Sequence, residues 1–72
     1  MNRSEHVAWC KSRALDYVYA GDLSSAFKSL VSDLGKHSGT ADHAAIGLGT
    51  ALLAGGHLAT RERMQKFIED VN

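Results

Sequence analysis

His6 and Cys10 stand four residues apart, the spacing that stacks two side chains on one face of a helix. An imidazole beside a thiol offers two chemistries. The pair can begin a zinc site, or the imidazole can draw the thiol toward a nucleophilic thiolate. Structural zinc takes four Cys or His ligands, and the remaining candidates, His37, His43 and His57, lack the paired short spacings of such sites. Cys10 also falls on the apolar stripe of its segment, where a free thiol packs as a small hydrophobe. Packing and surface exposure account for these residues without a ligand, so no metal is expected.

Gly47, Gly49, Gly55 and Gly56 suggest a phosphate loop, but the spacing is wrong. A dinucleotide fingerprint starting at Gly47 needs a third glycine where Leu52 stands, and no Gly-Lys-Ser/Thr follows any of them. Close helix packing and a turn explain these glycines better. Asp42 and His43 are neighbours, which on a helix aims them about 100° apart, so they do not form the base and orienting carboxylate of one nucleophile. A very small bundle also leaves little room for a substrate cleft of about 300–1,000 Å³. The chain is therefore expected not to be an enzyme and to carry no cofactor.

The residues that point to association are Trp9 and Tyr19, at the margin of the first apolar stripe. Trp and Tyr are over-represented at protein interfaces, although half-burial in a small bundle is the plainer reading. Arg3, Lys11 and Arg13 near Trp9, with Arg61 and Arg63 further on, complete the candidate interface. A solvated helix face is the alternative for these cations.

Four helical segments must position these residues, at about 5–20, 23–34, 41–54 and 61–71. In the first, with Ser4 as its cap, Val7, Cys10, Ala14 and Tyr17 share a stripe. Gly21 ends it and Asp22 caps the second. There Leu23, Ala26, Phe27, Leu30, Val31 and Leu34 follow helical spacing without exception, leaving Lys28 and Asp33 off the face. The third, capped by Thr40 with Asp42 in its first turn, is uncharged and apolar all round from Ala44 to Ala54. That pattern predicts a central, buried helix. Gly47 and Gly49 within it predict close approach of a neighbouring helix. After Gly55-Gly56, Thr60 caps the fourth, whose Met64, Phe67, Ile68 and Val71 face inward. Glu62 with Lys66, and Lys66 with Asp70, are spaced to support its solvated side.

Seventy-two residues make one domain, 1–72, and a small core. Domains of this size generally need a disulfide, a metal or oligomerisation. A single cysteine excludes an intrachain disulfide, which leaves a homo-oligomer as the expectation. Eight basic residues balance eight acidic ones, so the excess of cations that holds nucleic acid is missing. The apolar stretch, about a dozen residues, falls short of the about 20 that span a bilayer, and no membrane partner is expected. The polar start MNRSEH and the lone cysteine predict a cytoplasmic protein.

The two halves repeat at about 35 residues, with Ala20-Gly21-Asp22-Leu23 matching Gly55-Gly56-His57-Leu58. Ala14, Tyr17, Gly21, Asp22 and Ala26 resemble the helix-turn-helix pattern of tetratricopeptide repeats. Trp9 lies one position out of that register, and Arg61 replaces a small residue. The run Ala8-Trp9-Cys10-Lys11, the turn Gly21-Asp22-Leu23 with Ala26-Phe27, and Met64-Gln65-Lys66-Phe67-Ile68-Glu69 resemble short all-helical accessory proteins of tailed bacteriophages. That resemblance implies action by stoichiometric binding, such as inhibition of a host defence system through a protein complex or by sequestering a nucleotide signal. It assigns no functional residue. The expectation is thus an all-α bundle of two helical hairpins that works by binding, either as such an accessory factor or as a tetratricopeptide-like adaptor for a helical peptide. A nucleotide would be met by Arg3, Lys11, Arg13, Arg61 or Arg63.

Overall fold

The second segment, with its uninterrupted apolar periodicity, is the surest starting point. In the computed structural model, which describes residues 2–72, it forms α2 (Leu23–Leu34) after α1 (Arg3–Tyr19) and before α3 (Ala44–Ala54) and α4 (Arg61–Glu69). No strand occurs among the described residues. The chain is a small all-α bundle.

Local chemistry sets each boundary. Asn2, not Ser4, caps α1. Its side chain accepts from the Glu5 amide at 2.8 Å while the Glu5 carboxylate accepts from the Asn2 amide at 3.3 Å, a reciprocal capping box. Gly21, at φ +82°, turns the chain into α2. Asp22 caps that helix by accepting from the Ser25 amide, as expected. Thr60 caps α4 in the same way through the Arg63 amide.

Thr40 does not cap α3. It is buried, and its hydroxyl donates to the Leu34 carbonyl at 2.6 Å, closing the end of α2. Asp42 consequently lies outside α3, whose cap is His43. There Nδ1 accepts from the Ala45 amide and Nε2 donates to the Asn72 carbonyl. Val71 falls beyond the end of α4 yet remains buried.

The core is built from Val7, Cys10, Ala14 and Val18 of α1, Ala26, Phe27, Leu30 and Leu34 of α2, and Met64 and Ile68 of α4. Leu58 and Val71 close it from the connections. Tyr17, expected on the inner stripe of α1, is exposed, because Ala14 and Val18 meet α2 and the larger ring is turned outward.

The principal correction concerns α3. It is peripheral, not central: α1, α2 and α4 pack on one another, and α3 approaches the others only weakly. Within it only Ala45 and Gly49 are buried, while Leu48 is 57% and Leu53 42% exposed. Gly49 does mark a close approach. A Cβ there would come within 2.6 Å of the Phe27 ring and 2.7 Å of the Phe67 ring. Gly47, expected to do the same, faces open space. An all-round apolar sequence predicts a cover on every side, but the other three helices cover one side only.

Candidate functional site

Two constellations merit comparison, one polar and internal, the other apolar and open. The first is organised by Asp33, which is only 1% exposed and is not off the α2 face as its polarity suggested. It follows Ala26 by seven residues and Leu30 by three, which puts it at the edge of the buried stripe. Its carboxylate accepts from Arg13 Nε at 2.7 Å, Lys36 Nζ at 2.9 Å and Ser29 Oγ at 3.4 Å. Burial pushes the Asp33 carboxyl up, but the hydrogen bonds from Lys36 and Arg13 and their charges outweigh it and hold the group below the usual carboxylate range. The Asp33 hydrogen bond and charge in turn raise the Arg13 guanidinium above its ordinary value.

His6 and Cys10 meet as their spacing predicts, with Sγ 3.5 Å from Nε2. The same Nε2 lies 2.7 Å from the Asp33 backbone carbonyl. A carbonyl only accepts, so Nε2 carries the proton and is not free to receive one from the thiol. Burial pushes the thiol up, and the Asp33 carboxylate adds to that. This arrangement keeps a protonated, packed thiol and is the reverse of an activated one. Among the described residues no three His, Cys, Asp or Glu side chains converge as a metal-ligand set.

Trp9 belongs to the same cluster. Its ring stacks on His6 at a centroid distance of 5.7 Å, and His6 stacks on His37 at 5.1 Å. The Arg13 guanidinium lies 4.8 Å, and Lys36 Nζ 5.6 Å, from the Trp9 ring centroid. Trp9 is therefore half-buried and already occupied by neighbours.

Most of the other interface candidates also have internal partners. Arg3 donates to the Gly39 and Asn72 carbonyls. Lys11 donates to the Glu69 and Val71 carbonyls at 2.7 and 3.0 Å, satisfying the end of α4. The Arg61 guanidinium lies over Gly21, where a Cβ would come within 3.3 Å of it. Tyr19 is exposed at the end of α1. Arg63 is exposed and makes no ion pair among the described residues. The five cations do not gather around one cavity: Arg3 and Lys11 line one depression, Arg13 another and Arg63 a third, while Arg61 lines none of these three.

Comparison with known proteins adds no relative. No protein-family model, curated protein or solved structure matches this chain.

The second constellation is the third of those depressions, an open groove of about 540 Å³ between α3 and α4. Leu48 and Leu52 of α3 form one wall, Phe67 of α4 the other, and Leu58 lies at its end. Arg63 and the Lys66–Asp70 ion pair, 3.0 Å apart, stand on the rim. Lys66 uses that partner rather than Glu62. Apart from Arg63, none of these groove residues was among the sequence-derived candidates. The signal was present in the uncharged run Ala44–Ala54, whose exposed Leu48 lines the groove.

Proposed function

We propose that this chain is a non-enzymatic accessory protein acting by stoichiometric binding, with the α3–α4 groove as the surface that receives an apolar helix. The observation that carries this reading is the combination of an uncharged, largely uncovered α3 with the adjoining groove. Exposed apolar area of this kind marks association surfaces in small proteins. A groove walled by leucine and phenylalanine matches the way amphipathic helices are recognised, through anchors three and four residues apart.

In a bacteriophage setting, such a protein would inhibit a host defence complex by covering one of its helices in the host cytoplasm. The same geometry suits a tetratricopeptide-like adaptor for a helical peptide. Nucleotide sequestration has less support, because Arg3, Lys11 and Arg13 already hold carbonyls or a carboxylate of the chain itself.

The test is affinity purification of the tagged chain and of Leu48→Asp from bacterial cells carrying candidate defence systems. A protein partner of fixed stoichiometry with the parent chain, lost with Leu48→Asp, is the expected result. A parent chain that carries nucleotide and no protein would overturn the reading.

A further inference from the structure

We infer that, until another partner displaces it, the helix received by the α3–α4 groove is α3 of a second copy of this chain, laid antiparallel to form a two-fold dimer. This rests on the reading that the groove takes an apolar helix, and it names the helix.

The first argument is composition. From Ala44 to Ala54, α3 holds no charged side chain, so a helix lying along it must turn an apolar face to it. The apolar faces of α1, α2 and α4 are spent on the core, and α3 is the helix that leaves its apolar side chains exposed.

The second argument is charge at the ends. α3 and α4 run antiparallel, since His43 reaches the Asn72 carbonyl at one end and the Gly55–Thr60 connection joins the other. Arg63, near the start of α4, therefore stands beside the C-terminal end of α3, and Asp42 precedes its N-terminal end. Both are exposed, and neither has an ion pair among the described residues. An antiparallel second α3 brings the partner's Asp42 to Arg63, and the two-fold repeats the contact in the other direction. One free anion and one free cation of a single copy thus become two pairs in the dimer.

The third argument is shape. The residues Ala44, Leu48 and Leu52, which line the groove from α3, are spaced four and four apart, the same read from either end. A two-fold contact requires such a self-complementary surface. Leu48, the most exposed leucine of α3, stands at the middle of this row. A standard interface takes about 800 Å² from each partner, against a total surface of 4215 Å² here. The 11 residues of α3, about 16 Å of helix, do not supply that alone. Phe67 and Arg63 on the α4 wall must contribute, which is why the groove forms part of the contact.

The test is sedimentation velocity on the full chain, on Asp42→Arg, on Arg63→Asp and on an equimolar mixture of the two variants, with circular dichroism to check that each keeps its helices. The parent chain is expected to dimerise. Each variant alone should associate about tenfold more weakly, because like charges then meet at both ends. The mixture should recover parental affinity as a heterodimer, since each reversed charge then faces its complement. Charge reversals that leave the dimer unchanged, or a mixture no tighter than its components, would overturn the inference. So would a parent chain that stays monomeric. In that case a fluorescein-labelled leucine–alanine helical peptide with glutamate ends separates the two readings. Binding in the groove removes only the second copy, and no binding removes the groove reading as well.

Discussion

Arg13 Nε and Asp33 Oδ2 meet 2.7 Å apart across the α1–α2 interface, an exposed cation bonded to a carboxylate with almost no exposure of its own. Asp33→Ala removes that acceptor from Arg13, Lys36 and Ser29 together. Arg13 and Lys36 are both exposed and regain water, so the cost stays below that of stranding a buried charge. A loss of about 1–3 kcal/mol is expected from urea unfolding.

The same carboxylate sets an acid limit. Its folded-state pKa lies below the ordinary aspartate value, so its stabilisation is fully present above the unfolded pKa of about 3.9. It is lost as the pH falls through the depressed folded value. Thermal melts of the parent chain should weaken progressively below about pH 4, and Asp33→Asn should flatten that decline relative to its own neutral-pH stability.

Two glycines one helical half-turn apart should respond in opposite directions. Gly49→Ala drives a methyl into the Phe27 and Phe67 rings and should destabilise the fold by about 1–3 kcal/mol. Gly47→Ala meets nothing within 4 Å and should stabilise by up to about 1 kcal/mol through helix propensity. Paired thermal denaturation of the two variants checks both signs.

Cys10 should be inert in the folded chain. Burial and the Asp33 carboxylate both raise its thiol, and no surface of the side chain is open. Reaction with a chromogenic disulfide reagent is expected to proceed at the rate of opening and to become immediate in denaturant. Fast stoichiometric labelling of the native chain would contradict the packing described.

Periodicity made α2 and the inner face of α4 legible, because Leu30, Leu34, Met64 and Ile68 repeat as an amphipathic helix requires. Gly21 and Asp22 announced the first turn by their chemistry. Asp33 was hidden by its charge: its position belongs to the buried edge of α2, and only its partners Arg13 and Lys36, distant or local in sequence, make that burial tolerable. Trp9 was recognised as marginal, but its enclosure by His6, Arg13 and Lys36 depends on how α1 meets the end of α2. For α3, composition declared that the helix needs covering and was silent on what covers it. Leu48 and Leu53 are consequently the residues on which the sequence and the single-chain fold diverge most.

The attachment of α3 chiefly through Ala45 and Gly49 divides this small chain into two tasks. Residues that hold the bundle together lie on α1, α2 and α4, while Gly47, Leu48, Ala51 and Leu53 contribute little to it. Changes at Leu48, Ala51 and Leu53 leave the packing of the core untouched. The exposed face of α3 can therefore be rewritten, substitution by substitution, on a scaffold that does not have to change with it.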